Sequence, residues 1–429
     1  MRFNHCYVTN SICTSSRAAI LTGTHNHVNG VTTLDSKINK RLPNVAKKIR
    51  TGGYQTAMIG KWHLGEGKDH EPTGFDYWSV VPGQGEYHDP QFIGPEGMAR
   101  ESGYATDIIT DKSLNWIRDR DTQRPFFLMC HHKAPRRSWE YDAKHRHLYT
   151  EPARLPDTFT DDYKDRARAA KVAKMRVAED LTYTDLALVQ TEGGVDLVGP
   201  KMIDSWSWHD RKVPSPEDVT KLRLMDKENG AVFTFQTPQE LAEFKFQRYI
   251  QRYLRTIQSI DNVGRMLDFL GVGGLAEDTI VIYTSDQGFF LGGHGWFDKR
   301  FIYEESFQMP FLIRYPRAIA PGSICDDIIC NVDFASTYMQ GVAYHRYWMH
   351  RDRYKLIYWF NEDFGLEGTR PGGQEKEWEL FDCEQDPLEL FNCYNDPELL
   401  EKMEEIGDEP IHEVAISTQC PDILRIVTG

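Results

Sequence analysis

The sequence has no long apolar run, and no stretch approaches the roughly 18 consecutive apolar residues that a membrane-spanning helix needs. Its beginning, from Met1 to Cys6, carries no apolar region of the kind that marks a secretory signal peptide. The chain also contains no Asn-x-Ser/Thr sequon, which weighs against heavy N-glycosylation. We therefore predict no membrane span, and the sequence leaves the cellular compartment open.

Cysteine is scarce, because eight residues in a chain of 429 are too few for a disulfide scaffold. No two cysteines have the Cys-x-x-Cys spacing, so neither a zinc ribbon nor a thioredoxin-like redox site is indicated. Cys325 with Cys330 and Cys383 with Cys393 could close short loops, and ordinary buried thiols are an equal alternative. The redox environment stays open on this evidence.

Positive charge is in deficit, since 50 Lys and Arg stand against 64 Asp and Glu and give a net charge of −14. Such a surface repels polyphosphate, which argues against a nucleic-acid partner and against docking on anionic membranes. A small anionic substrate is still compatible, because nearby cations outweigh a screened distant charge. With 40% hydrophobic residues the chain is predicted to bury a globular core, as one large α/β domain with a smaller appendage or as two or three domains.

Several short apolar runs end in residues that can carry chemistry. In an open α/β sheet, the carboxyl ends of parallel strands deliver such side chains to one edge. The three runs are 54–60 before Lys61, 125–130 before His131, and 279–284 before Ser285, Asp286 and Gln287. We therefore predict a parallel arrangement with a functional site at one rim.

Helices are predicted between these strands. Thr237 to Glu240 is a capping box with proline at the first helical position, and apolar residues follow at helical spacing up to Gly271. The Lys-, Arg-, Glu- and Ala-rich stretch 161–188 is predicted to form another helix, and 191–236 a long excursion. Short aromatic strands at 345–350, 354–360 and 378–381 predict an antiparallel sheet towards the C-terminus.

The segment from Cys13 to Gly23 carries the most information. A cysteine follows a strand-like run and precedes small hydroxyl residues, Arg17 and a helix-forming stretch. This places the thiol where a helix N-terminus and a nearby arginine would lower its pKa and favour a thiolate nucleophile. A buried cysteine at a strand–helix junction is the alternative that the segment alone leaves open.

This segment resembles the C-x-P-S-R-x-x-x-L-T-G signature of the type I sulfatases. The resemblance continues in order through the segments 60–65 (GKWHLG), 284–288 (TSDQG) and 295–300 (GWFDKR). It implies an α/β fold of the alkaline-phosphatase-like type, with a mixed central sheet between helices. It also implies a sulfuric ester hydrolase that acts on a sulfated carbohydrate or an aryl sulfate.

The resemblance further implies the roles of ten residues. A formylglycine-generating enzyme would oxidise Cys13 to formylglycine, whose hydrate attacks sulfur with one hydroxyl and expels sulfate with the other. The remaining catalytic residues would be Arg17, Lys61, His63 and Lys299. Lys133, Arg136 and His294 would bind substrate, and Asp286 and Gln287 would bind Ca²⁺, with Mg²⁺ as the alternative. Without the family, a plain turn at Asp286 and solvated Lys and His side chains are the simpler interpretations.

Two further segments narrow the resemblance. The segments 83–90 and 303–306 look like the branch that includes N-acetylglucosamine-6-sulfatases and enzymes that desulfate mucins or glycosaminoglycans.

The sequence also departs from the family pattern. Family members have a first strand that ends in Asp-Asp and supplies metal ligands, and no such pair precedes Cys13. We therefore expect residues 1–334 to form a sulfatase catalytic domain lacking its first strand, and residues 335–429 a C-terminal α+β subdomain with a small antiparallel sheet. Ser15 replaces the usual proline, and Arg136 the usual histidine. A catalytically impaired protein that binds sulfated glycan, or a phosphoryl hydrolase of the same superfamily using Thr14 or Ser15, are the alternative functions.

Overall fold

The structure is a computed structural model that describes residues 1–192, 219–340, 354–359 and 377–397. The predicted strand at 345–350 and most of the predicted excursion at 191–236 lie outside these residues. The helices are α1 Cys13–Thr22, α2 Asn26–Asn29, α3 Val45–Thr51, α4 Ala105–Asp119, α5 Arg168–Val172, α6 Pro238–Ile257, α7 Asn262–Val272, α8 Glu304–Phe307 and α9 Asp333–Gln340. The strands are β1 Arg2–Tyr7, β2 Gln55–Lys61, β3 Tyr77–Val81, β4 Gln91–Gly94, β5 Gly97–Arg100, β6 Phe126–His131, β7 Leu188–Glu192, β8 Arg223–Asp226, β9 Val232–Phe233, β10 Val281–Thr284, β11 Phe290–Leu291, β12 Phe297–Asp298, β13 Phe311–Arg314, β14 Ile324–Cys330, β15 Tyr354–Trp359 and β16 Glu377–Asp382.

One main sheet is built around β2. Its five strands run in the order β5-β4-β3-β2-β6, and β2 is parallel to both β3 and β6. The segment Ala57 to Lys61 is buried on both faces, as expected for an apolar run at the centre of a parallel sheet. Helix α4 packs against β2 and β6, with Ile109 in the shared core. Strand β6 forms one edge of this sheet.

The second main sheet has the order β10-β13-β1-β14. Strand β1 is parallel to β14 and antiparallel to β13, so the sheet is mixed, as predicted. Its core holds Cys6, Val8, Phe311 and Phe334. Strand β10 forms the edge of this sheet and is antiparallel to β13.

A cleft of about 1530 Å³ is lined by both of these edge strands. Residues 124–136, which include β6, and residues 278–289, which include β10, contribute to its walls. Apolar side chains of α6 and α7 line it as well, among them Ile257, Val263 and Leu267. The cleft is therefore an apolar groove between two strand edges, and charged residues are also part of its lining.

The predicted long helix is present but interrupted. Thr237 caps α6, because its hydroxyl accepts a hydrogen bond from the backbone N–H of Glu240 at 3.1 Å. Instead of continuing to residue 270, the chain tightens into a 3₁₀ turn at 258–261 before α7. The Asn262 side chain donates to the carbonyl oxygen of Ser259 at 2.8 Å, which satisfies a carbonyl at this turn.

The prediction of one helix over residues 161–188 is wrong. Within this stretch only the five residues of α5 are α-helical, and Tyr163 and Asp165 have positive φ. The segment is held by tertiary contacts instead, since Arg137 forms two hydrogen bonds with the buried carboxylate of Asp185 at 2.9 and 2.6 Å. Its apolar side chains enter the core as separate anchors, so helix-favouring composition is overridden by packing.

The remaining sheets are small. Strands β7, β8 and β9 form an antiparallel sheet, and β15 pairs antiparallel with β16. Buried Glu379 of β16 accepts a hydrogen bond from the backbone N–H of Ala167 at 2.8 Å and one from the Tyr303 hydroxyl, so β16 contacts the larger part of the fold.

Helix α9 crosses the predicted boundary at residue 334, and that division into domains stays a prediction. Among the described residues, no helix has both the length and the apolar character of a membrane span.

Candidate active site

Cys13 is the first residue of α1 and is almost fully buried. The Gln287 side-chain amide donates a hydrogen bond to its sulfur at 3.4 Å. Burial by itself would raise the pKa of the thiol, but the charges of Lys299 and Lys61 outweigh burial and lower that pKa to about 6. The thiol of Cys13 is thus buried at a helix N-terminus, where the nearby lysines favour its ionised form.

Arg17 lies one turn further along α1 and connects the strand ends. Its Nε donates to the Asp286 carboxylate at 2.9 Å, and its Nη1 donates to the carbonyl oxygen of Lys61 at 2.7 Å. Nη1 also lies 3.1 Å from His131 Nδ1. These contacts join the ends of β2, β6 and β10, so the predicted convergence of three strand ends is confirmed.

A glycine makes the approach of β2 to β6 possible. Gly60 has φ of 103°, and a Cβ atom there would lie 2.0 Å from the carbonyl oxygen of His131. Only glycine fits this position, and it directly precedes Lys61.

Two buried lysines, Lys61 and Lys299, lie close to Cys13 and Asp286. Burial lowers the pKa of Lys61 to about 7. Burial opposes ionisation of Asp286 too, but Arg17, Lys61 and Lys299 hold the pKa of this carboxyl well below its usual range. Asp286 is therefore ionised, and the cations around it can still attract an anionic substrate.

His63 lies beside the first turn of α1, where its ring nitrogen pairs with Thr14, the residue next to Cys13. Its Nδ1 is 3.1 Å from the Thr14 hydroxyl and its Nε2 is 2.7 Å from the Gln84 amide nitrogen. Burial and the charges of Lys61 and other nearby cations lower the pKa of His63 to about 2. The imidazole is neutral at ordinary pH.

Lys133 and Arg136 form another part of the cleft wall. The Lys133 ammonium lies 3.7 Å from the centre of the Tyr87 ring, and burial lowers its pKa well below the usual value. Arg136 Nε donates to Gln84 Oε1 at 3.0 Å, and its Nη1 is 3.8 Å from Asp298. Both residues are therefore held in place by aromatic or polar partners.

His294 lies in a different environment. Its Nδ1 is 3.0 Å from Asp161, and the Tyr163 hydroxyl donates to its carbonyl oxygen at 2.6 Å. The ring packs among Trp296 and Tyr303 and does not line the cleft. Its assignment to substrate binding stays a prediction.

Eight of the ten predicted site residues line the one cleft, namely Cys13, Arg17, Lys61, Lys133, Arg136, Asp286, Gln287 and Lys299. Gln84 lies in the segment 83–90 and Asp298 in the segment 295–300, but no role was predicted for either residue. Asp298 is buried, and although burial opposes its ionisation, Lys299, Arg300 and Arg136 hold its pKa well below the usual range. Its position directly before Lys299 was the signal that could have identified it.

The site offers a hard cation two oxygen donors. The Oε1 atom of Gln287 is buried and has no hydrogen-bond partner among the described residues, and the Asp286 carboxylate lies on the neighbouring residue. The part of the chain that the structure describes contains no group of three or more His, Cys, Asp or Glu side chains suited to a metal. Asp286 and Gln287 thus fit part of a Ca²⁺ or Mg²⁺ shell, which needs about six to eight oxygens for Ca²⁺.

Comparison with known proteins assigns the chain to a family. The sequence model of the family described as Sulfatase matches residues 1–342. An N-acetylglucosamine-6-O-sulfatase of Bacteroides thetaiotaomicron is 36% identical over 95% of this chain and 78% of its own length. Human N-acetylglucosamine-6-sulfatase is 24% identical over 80% of this chain, which spans about half (55%) of that relative.

A solved structure of a protein in complex with its substrate D-glucosamine-2-N,6-O-disulfate has a TM-score of 0.75 and 34% identity to this chain. The match covers 94% of this chain and 88% of that one. Together with sulfatase neighbours at lower identity, it shows the alkaline-phosphatase-like fold predicted above. Since the family match extends over most of the chain and includes every residue around Cys13, the chain belongs to the sulfatase family of sulfuric ester hydrolases.

Proposed function

We propose that this protein hydrolyses the sulfate ester of a sulfated sugar, with formylglycine made from Cys13 and a divalent cation at Asp286 and Gln287. The substrate we favour is a 6-O-sulfated glucosamine, as the names of its relatives suggest. The observation that carries the proposal is the environment of Cys13, which lies at a helix N-terminus, near the charges of Lys61 and Lys299 and in contact with Gln287.

Each buried group has a separate task in this reaction. Lys61 and Lys299 offset the negative charge of the sulfate oxygens, which is worth most in a site from which water is excluded. Formylglycine at position 13 would supply the hydroxyl nucleophile. Asp286 and Gln287 would hold the cation, which would supply Lewis-acid stabilisation of the sulfate oxygens. Arg17 orients this end of the site through Asp286 and the carbonyl oxygen of Lys61.

The departing alkoxide needs a proton donor. Arg136 replaces the histidine expected at this position, and guanidinium keeps its protons. The Lys133 ammonium, whose pKa burial lowers well below its ordinary value, is a better donor from the same segment. We therefore assign proton donation to Lys133 and sulfate binding to Arg136.

We also propose that the cleft between β6 and β10 is the place of the additional strand that the family resemblance leads us to expect. Two strand edges line it, and apolar helix residues form part of its wall. At one end Arg17 links His131, the last residue of β6, to Asp286, two residues beyond β10. A strand that ends there in two carboxylates would meet this cationic cluster and complete the cation shell together with Asp286 and Gln287.

The first experiment tests both the modification and the reaction. Protein produced with a formylglycine-generating enzyme should show partial conversion of Cys13 by peptide mass spectrometry, and sulfate release from 6-O-sulfated N-acetylglucosamine should depend on that conversion. Cys13→Ala should abolish release, whereas the control Cys325→Ala, outside the cleft, should not.

Full activity of Cys13→Ala would contradict the mechanism. A preference for the matched 6-phosphate would instead favour a phosphoryl hydrolase, and binding of the sulfated sugar without turnover of fully converted protein would favour a sulfatase-like binding protein.

A further inference from the structure

We propose that Gln84 is a positioning residue that holds the proton of His63 on Nδ1 and links this proton to the substrate-binding Arg136. The inference deepens the proposed function, because it rests on Arg136 binding the sulfate of the substrate. It arises from a chain of four side chains, Arg136, Gln84, His63 and Thr14, whose donors and acceptors can be arranged in one way only.

The orientation of the Gln84 amide follows from Arg136. The Nε atom of Arg136 lies 3.0 Å from Gln84 Oε1, and a guanidinium nitrogen can only donate. The acceptor that faces Arg136 must therefore be the amide oxygen. As a result, the amide NH₂ group faces His63 at 2.7 Å.

The tautomer of His63 follows in turn. Because the Gln84 NH₂ group can only donate, the Nε2 atom of His63 must accept and carries no proton. The proton of the neutral ring is then on Nδ1, which donates to the Thr14 hydroxyl oxygen at 3.1 Å. Thr14 in turn donates its own proton to the carbonyl oxygen of Leu34 at 3.1 Å, so each hydrogen bond from Arg136 Nε to Leu34 has one donor and one acceptor.

The surrounding charges keep the ring neutral. Burial disfavours the imidazolium form, and Lys61, Arg17 and Arg136 act in the same direction, whereas Asp286 acts against them. The Nδ1–H group thus holds Thr14, the residue next to Cys13, and the lone pair on Nε2 is directed at Gln84. In this arrangement His63 orients the first turn of α1.

Arg136 connects this arrangement to the substrate. Its Nη1 atom is buried in the cleft wall, forms no hydrogen bond among the described residues and lies 3.8 Å from the Asp298 carboxylate, while its Nε is held by Gln84. A sulfate oxygen can therefore be bound by Nη1 without breaking the contact that orients Gln84. The same side chain would bind the anion and set the tautomer beside the nucleophile.

The test is a ¹⁵N NMR measurement of the imidazole nitrogens in the full chain labelled at histidine, with His63→Gln identifying the His63 signals. The wild type should show a proton on Nδ1, an unprotonated Nε2 and no titration of His63 between pH 5 and 8, in keeping with its pKa of about 2. In Gln84→Glu the carboxylate accepts, so the proton should move to Nε2 and the pKa of His63 should rise. Gln84→Leu should leave the proton distributed between both nitrogens.

The matched control is Gln239→Glu, an exposed residue on α6 that should leave the His63 signals unchanged. In converted enzyme, Gln84→Glu should lower kcat by roughly 10- to 100-fold, as for residues that orient functional histidines, and change KM little. A wild-type proton on Nε2, or a Gln84→Glu protein that folds and keeps the proton on Nδ1, would overturn the inference. The imidazole signals do not require turnover, so failure of the wild type to release sulfate would count against the proposed function alone.

Discussion

At the scale of single residues, the site is a balance of buried charges. Arg17, Lys61 and Lys299 lie close to the Asp286 carboxylate and to Cys13, and Lys299 also lies 3.5 Å from the Asp298 carboxylate. Burying cations is costly unless anions are near, and a sulfate group offers such an anion when the substrate binds. We therefore expect Lys61 and Lys299 to stabilise the transition state mainly as negative charge develops on the sulfate oxygens.

Lys299→Met should therefore lower kcat/KM for a sulfated sugar by about 100-fold or more, the loss typical for removing one donor to a developing anion. Methionine keeps most of the side-chain length and removes the charge. Steady-state sulfate release measures the effect, with exposed Lys227→Met as the control that should behave like wild type. Equal losses in both variants would mean that Lys299 has no special role.

At the scale of elements, β6 ends at His131 and is followed by His132, and both histidines are half-buried in the cleft wall. Burial lowers the pKa of His131 to about 3 and that of His132 to about 4. An unfolded chain would bind protons on both residues below their ordinary pKa of about 6.5, whereas the folded chain does not. Their effect is therefore to reduce the free energy of unfolding as the pH falls from about 6.5 towards these lower values.

His132→Asn should flatten this pH dependence by up to about 1.4 kcal/mol per pH unit, the value for one proton taken up on unfolding. His132 lies 3.0 Å from the Thr110 hydroxyl, and asparagine retains polar atoms for that partner. Urea unfolding at pH 7, 6 and 5 gives the slope, and exposed His147→Asn is the control. An unchanged slope in His132→Asn would show that another group takes up the proton.

At the scale of the whole molecule, two sheets meet at one cleft. The edges of β6 and β10 both line it, and apolar residues of α6 and α7 form part of its wall. An unpaired strand edge presents backbone donors and acceptors that another strand can satisfy. The proposed additional strand would join the two sheets and cover this apolar surface.

Extending the chain at its N-terminus by an apolar strand that ends in Asp-Asp should raise both the melting temperature and the affinity for Ca²⁺. The same extension ending in Asn-Asn should raise the melting temperature but bind Ca²⁺ more weakly, because charged ligands are lost. A proline in the middle of the strand should remove both effects, since it cannot donate to the ladder. Scanning and titration calorimetry measure the two quantities, and identical results for the three extensions would contradict the place assigned to the strand.

The sequence by itself determined the family, the positions of β2, β6 and β10, and which predicted residues would meet at the ends of these strands. These features depend on local patterns in the sequence. The strands are short apolar runs that precede Lys61, His131 or Asp286, and the family motifs are recognised from the order and spacing of neighbouring residues. The capping box at Thr237 was predictable for the same reason, because its hydrogen bonds join neighbouring residues.

Other features were decided only by the tertiary structure. The segment 161–188 follows the core instead of its helix-favouring composition, and His294, next to the motif 295–300, is buried beside Asp161. The tautomer of His63 depends on Gln84 and Arg136, which are 21 and 73 positions away in the sequence and meet through hydrogen bonds. Such contacts depend on how the elements pack, and no local pattern records which side chains packing brings together.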